Sequence, residues 1–234
     1  MSKSTVYLKV NRVDSALCAK ALQVSVSDLH EAYYTLGGRG LMSSRMRPNQ
    51  VGTKIAGPAV TAQSAAADNL MMHRSLYLAQ AGDVLVVTCP DETSGAQWGD
   101  VAARYALKKG LAGVVIHGSI RDTDMLREIG SAAWSTHISP MHPDKQGHGS
   151  VNAPIICDGV LVKPGDLIVA DGDGVICIDK KLASAVVELA LTRMKKEDGL
   201  AQKIAAGQTP WDLSGAAQSY QTLGIEEMNK AFDD

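Results

Sequence analysis

This chain is expected to fold as an α/β protein with a partly parallel central sheet and a long C-terminal helix, on three observations. An apolar run, Val84-Leu-Val-Val-Thr88, precedes a helical stretch from Gly99 to Lys109, a stop at Gly110 and a second apolar run, Val114-Val-Ile116. Strand, helix and strand of these lengths make a crossover unit, and a crossover leaves its two strands parallel. Short strand-like segments broken by turn residues come next, and from Lys180 to about Ala206 apolar residues recur at helical spacing.

In chain order, the first 40 residues read as two helices. One runs from Asp14 to about Leu22. The other runs from Asp28 to Leu36, with Asp28 as cap, Glu31 three residues on and Gly37-Gly38 as stop. Alternation from Gly57 to Ser64 predicts a strand, Ala65 to Asn69 a loop, and the following residues a helix to about Ala79 before a turn at Gly82-Asp83. Beyond the crossover unit, Ile155-Ile-Cys157, Val160-Leu-Val162, Asp166 to Ala170 and Val175 to Ile178 read as hairpin strands. Asp158-Gly159, Pro164-Gly165 and Gly172-Asp-Gly174 separate them. The helix over 180–206 carries Leu182, Val186, Leu189, Ala190 and Met194, with a break expected near Gly199. The tail, 207–234, is polar with weak periodicity and receives no element. The chain reads as one domain, 1–234, whose sheet-containing core is 57–178.

With 23 Lys and Arg against 25 Asp and Glu, the net charge of −2 gives no broad basic surface, so a nucleic-acid partner is not expected. An apolar fraction of 45% marks a globular chain of 234 residues. No uninterrupted apolar run reaches the roughly 18 residues of a membrane helix, and the N-terminus lacks a secretory apolar stretch. No membrane association and a cytoplasmic location are therefore expected. Cys18, Cys89, Cys157 and Cys177 form no C-x-x-C pair, so they are read as reduced core residues.

The chemistry is expected where the crossover unit brings its ends together. The helix carries the chain back by about 1.5 Å per residue and the next strand returns it by about 3.3 Å per residue, so the two displacements nearly cancel. Asp100, at the helix start, should then meet Arg121-Asp122 at the carboxyl ends of parallel strands, where open α/β sheets bind ligands. Backbone N–H groups around Gln97, Trp98, Gly99 and Asp100 would seat a carboxylate. Asp100 and Asp122 offer hard oxygens to Mg²⁺ or Mn²⁺, and Arg121 offers a planar fork to a carboxylate or enolate oxygen. An Arg-Asp pair after a strand and an Asp at a helix start also occur as structural features. Asp171, Asp173 and Gly174 read as a turn, and neither Gly37-Gly-Arg-Gly40 nor Gly147-His-Gly149 has the context of a phosphate loop. His30, His73, His137, His142 and His148 form no short-spaced ligand motif; His73, with His142 or His148, is a candidate for the pocket wall.

The stretch Gly95-Ala-Gln-Trp-Gly-Asp100, twenty residues, then Arg121-Asp122, with Gly149-Ser-Val-Asn-Ala-Pro-Ile155 and Pro164-Gly-Asp-Leu-Ile-Val-Ala-Asp171, closely resembles a known family. These are the class II pyruvate aldolases acting on 4-hydroxy-4-methyl-2-oxoglutarate and 4-carboxy-4-hydroxy-2-oxoadipate. Met46-Arg-Pro48, Ala56-Gly57, Asp68-Asn69 and Met71-Met-His73 extend the likeness to roughly residues 27–207. The resemblance implies a swivelling β/β/α domain, related to the regulators of ribonuclease E activity A, assembled as a homotrimer or homohexamer. It implies that Asp122 binds the divalent metal, Arg121 holds the substrate's oxo or enolate oxygen, and Asp100 positions water on the metal. By the same resemblance the amides of residues 97–100 hold the pyruvyl carboxylate, and Glu197 from a neighbouring subunit's C-terminal helix approaches the metal's waters. Ala96 stands where the signature has Gly, which would matter if the loop needs a positive φ there. His117 stands where Asp is usual, and reads as a strand-end His with a local hydrogen bond.

The activity so implied is retro-aldol cleavage of a 4-hydroxy-2-oxo acid to pyruvate, the metal and Arg121 stabilising the enolate where charge develops. Oxaloacetate decarboxylation, which yields the same enolate, would be a side activity. No Schiff-base lysine is needed, since Lys108 and Lys109 fall at the far end of the crossover helix. Two alternatives stand beside this reading: a non-catalytic protein that binds a ribonuclease, and a relative acting mainly as an oxaloacetate decarboxylase.

Overall fold

The computed structural model describes residues 4–89, 91 and 93–233, without the side chains of 197, 198 and 201. In chain order its elements begin with β1 (Thr5–Val6), α1 (Ser15–Ala21), α2 (Val26–Thr35), β2 (Arg47–Pro48), β3 (Ile55–Gln63), α3 (Leu70–Leu78) and β4 (Val84–Thr88). The centre holds α4 (Asp100–Lys109), β5 (Gly113–Ile120), α5 (Thr123–Glu128) and β6 (Ala133–Ile138). There follow β7 (Ser150–Val151), β8 (Ile155–Cys157), β9 (Val160–Val162), β10 (Leu167–Ala170), β11 (Val175–Ile178), α6 (Ala183–Ala205), α7 (Pro210–Leu213) and α8 (Ala216–Leu223).

The main sheet runs β1-β7-β3-β4-β5-β6-β2, with β3, β4, β5 and β6 mutually parallel. The crossover unit is there: Val84 to Thr88 pair in register with Gly113 to His117. Strand β3 serves two layers. Its C-terminal half, Ala59–Gln63, pairs with β4, while Ile55–Pro58 pair antiparallel with β10, which pairs antiparallel with β11. This division places three apolar layers. Leu85, Val87 and Ile116 pack under α3, α4 and α5 with Leu76, Ala103 and Leu126. On the opposite face Trp134, Val86 and Val115 meet Ile155, Val162 and Ile168 from the hairpin strands. Beyond these, Leu167, Val169, Ile176 and Ile178 are covered by α1, α2 and the first turns of α6, through Leu29, Val186 and Ala190. Each large aliphatic side chain fully buried in this way contributes about 1.5–3 kcal/mol relative to exposure.

Several boundaries differ from the sequence expectation. Helix α2 begins earlier than Asp28, because Ser25 is its cap: the Asp28 amide donates to Ser25 Oγ at 3.0 Å, and Ser25 Oγ in turn bonds the Asp28 carboxylate at 2.5 Å. Helix α6 runs without a break through Gly199, and the tail carries two short helices whose Trp211 and Tyr220 rings meet edge-on at 5.3 Å. Strand β6 and helix α5 fill a stretch to which the sequence assigned nothing. The chain groups into two compact units, 1–191 and 192–234, where the sequence reads as one domain. All four cysteines are buried and unpaired, as expected, and burial pushes the Cys18 thiol up to about 11. Among the described residues no helix is long and apolar enough to cross a membrane.

Candidate active site

The crossover unit sets the site. Gly99 caps α4, and Gly110 ends it in the left-handed conformation (φ 78°), so Asp100 occupies the first turn of a short, well-bounded helix. Strand β5 ends at Ile120, which places Arg121 and Asp122 directly beyond the sheet edge. There the Asp100 amide donates to Asp122 Oδ2 at 3.3 Å, and Arg121 Nε lies 3.4 Å from the same oxygen. Asp100 also pairs along its own helix, with Arg104 Nε 3.6 Å away.

Two backbone features show that this contact is built tightly. Asp122 adopts the left-handed conformation (φ 56°, ψ 36°) and precedes α5 without capping it by its side chain, so its carboxylate is turned to α4 instead. A Cβ at Gly99 would lie 2.7 Å from Asp122 Oδ2 and 3.2 Å from Arg121 Cγ and Nε, so a side chain there would displace the Asp122 carboxylate and Arg121 from the start of α4. Ala96 does not have a positive φ, and its amide donates to Met141 O at 3.0 Å. The departure from glycine at that position therefore creates no backbone strain. His117 lies within β5, with Nδ1 3.1 Å from Thr88 Oγ1 on the neighbouring strand.

A cavity of about 210 Å³ opens beside these groups, lined by Gln97 to Ala102 and Arg121 together with Asn69, His73, His142 and Lys145. Its far wall is a loop that Asp68 ties in place. The buried Asp68 carboxylate accepts from the amides of Gln146 (2.5 Å) and Gly147 (2.7 Å), and the Asn69 amide donates to Asp144 O (3.0 Å). Arg121 Nη1 stands 3.5 Å from His142 Nδ1. His73 has its pKa lowered, first by burial and then by Lys145, which favours its neutral form. Arg121 and Lys145 line the cavity as cations and Asp100 lines it as an anion, so the cavity offers charged groups of both signs to a polar small molecule.

The structure brings together Gln97, Trp98, Gly99, Asp100, Arg121 and Asp122. It narrows the amide seat, because the Gln97 amide donates to Ser119 O at 2.8 Å and the Asp100 amide is engaged by Asp122. Trp98 pairs with Ile120 in a parallel bridge, which engages part of the remaining turn at Trp98 and Gly99 as well. Glu197 falls on α6, and its side chain lies outside the described residues. His148 is held away from the cavity by Ser4 Oγ at 2.8 Å. Sequence reasoning missed Lys145, which reaches the cavity on a loop without periodicity; the buried Asp68 that anchors this loop was its only signal. Among the described residues no group of three His, Cys, Asp or Glu side chains could hold a metal. The Asp122 carboxylate, received by the Asp100 amide, with Asp100 itself turned to Arg104, suits Mg²⁺ or Mn²⁺, which keeps most of its waters, and does not suit a metal that demands a full set of protein ligands.

A family model described as RraA-like, Aldolase/RraA, matches residues 26–177. A relative from Halalkalibacterium halodurans, named "Putative 4-hydroxy-4-methyl-2-oxoglutarate aldolase", is 32% identical over 170 residues, covering 73% of this chain and 81% of its own. Among solved structures, an uncharacterized protein from Pseudomonas syringae pv. tomato superposes with a TM-score of 0.76 at 25% identity, covering 85% of this chain and 96% of its own. Streptomyces coelicolor RraAS2, described as an unusual member of the RNase ES inhibitor RraA protein family, superposes with a TM-score of 0.73 at 32% identity, covering 82% and 99% of the two chains. The family match spans more than half of the chain, and on that match and these likenesses the protein belongs to the RraA-like family.

Proposed function

We propose that this protein is a lyase, a divalent-metal-dependent aldolase that cleaves 4-hydroxy-2-oxo acids such as 4-hydroxy-4-methyl-2-oxoglutarate and 4-carboxy-4-hydroxy-2-oxoadipate to release pyruvate. The observation that carries the reading is the meeting of Arg121, Asp122 and the start of α4 at the rim of a cavity lined by Arg121, Lys145 and Asp100. Asp122, with Asp100 beside it, would hold Mg²⁺ or Mn²⁺, which when bound supplies Lewis-acid polarisation of the 2-oxo group. Arg121 binds the oxo oxygen and stabilises it as it becomes the enolate oxygen, and the turn at Trp98 and Gly99 seats the pyruvyl carboxylate. Cleavage removes the proton of the C4 hydroxyl, turns the C4–O bond into a carbonyl and breaks C3–C4. The electron pair passes to the pyruvyl half, whose C3 then takes up a proton. Asp100, at the first turn of α4, would assist removal of the hydroxyl proton by orienting the water that takes it up. Lys109 is no candidate for covalent catalysis: its Nζ donates to the carbonyls of Leu76 and Tyr77 at 3.0 and 2.5 Å, at the far end of α4. Decarboxylation of oxaloacetate passes through the same enolate and is proposed as a side activity.

A homo-oligomer, trimer or hexamer, in which Glu197 of a second copy completes the metal's surroundings, belongs to the same proposal. The test is pyruvate release from 4-hydroxy-4-methyl-2-oxoglutarate, 4-carboxy-4-hydroxy-2-oxoadipate and oxaloacetate, read by coupling to lactate dehydrogenase. Release from either hydroxy acid, dependent on Mg²⁺ or Mn²⁺ and above the rate without protein, supports the reading; release from oxaloacetate alone makes the protein a decarboxylase instead, and release from none removes the reading. The likeness to a protein named for an RNase ES inhibitor family favours a second reading, ribonuclease binding without catalysis. Capture of a purified ribonuclease by a protein inactive in all three assays would establish it.

A further inference from the structure

One buried carboxylate joins three segments that meet only around the cavity. Asp68, 2% exposed, lies between β3 and α3. Its Oδ1 accepts from the Leu70 amide at 2.8 Å, at the start of α3, and its Oδ2 accepts from the amides of Gln146 at 2.5 Å and Gly147 at 2.7 Å. Its backbone oxygen accepts from Gln97 Nε2 at 2.9 Å, in the turn before α4. A carboxylate is costly to bury unless donors surround it, and two of these donors belong to the loop that carries His142 and Lys145 onto the cavity.

Lys145 sits between two ties. Before it, the Asp144 amide donates to Ala67 O at 2.7 Å and the Asp144 carbonyl accepts from the Asn69 amide at 3.0 Å. After it come the two amides on the Asp68 carboxylate. The motif Gly147-His-Gly149, which has no phosphate-loop context, finds its use here. A Cβ at residue 147 would lie 2.7 Å from Asp68 Cγ and 2.6 Å from Ala65 Cβ, so a side chain there would push the loop off the carboxylate. The described residues that line the cavity do not include Asp68, so it acts through the loop. We propose that Asp68 is a positioning residue: it fixes Lys145 over the cavity, and so sets how tightly an acidic substrate is held. The role rests on the aldolase reading, which supplies the substrate. Arg121, Asp122 and Asp100 are held by contacts of their own, so bond cleavage is left alone. With the tie cut, each substrate molecule would have to order Lys145 as it binds, at a cost in affinity.

The test is Asp68→Ser, whose hydroxyl can still accept from the Leu70 amide two residues on but is too short to reach Gln146 and Gly147. Hydrogen exchange should quicken at residues 144–149 and stay unchanged in β4 and β5. With 4-hydroxy-4-methyl-2-oxoglutarate and saturating Mg²⁺, KM should rise about tenfold, the scale of immobilising a long side chain, while kcat stays within about twofold of wild type. Arg12→Ala, a destabilising change on another segment, serves as control and should leave KM unchanged. Unchanged loop exchange, unchanged KM, or a fall in kcat as large as the rise in KM overturns the inference. So does an equal rise in KM in Arg12→Ala, which would make lost stability a sufficient cause. If circular dichroism shows Asp68→Ser unfolded, Gly147→Ala is read the same way. A wild type that cleaves neither hydroxy acid removes the aldolase reading itself, a result distinct from an active wild type whose variant keeps its KM.

Discussion

At the scale of single residues, the site depends on a missing side chain as much as on those present. The Gly99 φ of −161° is extended backbone that any residue adopts, so the cost of a substitution there comes from the Asp122 carboxylate and not from strain. Gly99→Ala should therefore leave the melting temperature within a few degrees of wild type and lower kcat/KM at least about tenfold, since small misplacements of reacting groups have large effects on rate. Full activity in that variant would show that the approach of Asp122 to α4 is not needed. His73 links the site to pH. Its folded pKa lies below the ordinary 6.5, so below that value the unfolded chain binds a proton that the folded one refuses. Stability should fall as pH falls through that window, and His73→Gln should reduce this slope in urea unfolding between pH 5.5 and 7. The closeness of Asp100 to Arg121-Asp122 was legible from helix and strand rises alone. The need for glycine at 99 was not, because the atoms that forbid a side chain come from the other end of the crossover.

At the scale of elements, what could be read followed from the strength of the local pattern. Strands β4 and β5 are near-continuous apolar runs because helices cover one face and the hairpin layer the other. Strand β6, Ala-Trp-Ser-Thr-His-Ile, mixes polar and apolar residues because its burial fades along its length, so no clean period marks it. Ser25 was overlooked as the α2 cap because Asp28, three residues on, satisfies the same rule; Asp28 is instead the far member of the cap pair. The N-terminal segment is tied to the end of the sheet by Arg12, whose Nε and Nη2 reach the buried Asp83 carboxylate at 2.8 and 2.9 Å. Asp83 also receives the Gln80 amide, so it shapes the turn into β4. Arg12→Ala would leave Asp83 buried with its charge uncompensated, and should destabilise the protein by about 2–3 kcal/mol, less than a fully buried pair because Arg12 is partly exposed. A change in urea-unfolding free energy below about 0.5 kcal/mol would contradict this.

At the scale of the whole molecule, one strand organises the layers: β3 gives half its length to the parallel sheet that ends in the site and half to the antiparallel strands beneath α1, α2 and α6. The partly parallel sheet was legible from the crossover unit. The sharing of β3 between two partners was not, because pairing choices are made between segments more than a hundred residues apart. The proposed assembly is testable by sedimentation, where a trimer or hexamer is expected and a monomer would leave Glu197 without a second copy's site to complete. The charge balance, 23 basic against 25 acidic residues, matters less as a total than in its placement: Arg121, Lys145 and Asp100 line the cavity while the Asp122 carboxylate reaches the start of α4. The decisive measurement is pyruvate release from 4-hydroxy-4-methyl-2-oxoglutarate by wild type and Asp122→Ala, each with Mg²⁺ and with excess chelator. The account predicts release only from wild type with Mg²⁺, with both proteins folded by circular dichroism. Equal release from Asp122→Ala, or release undiminished by the chelator, would contradict it.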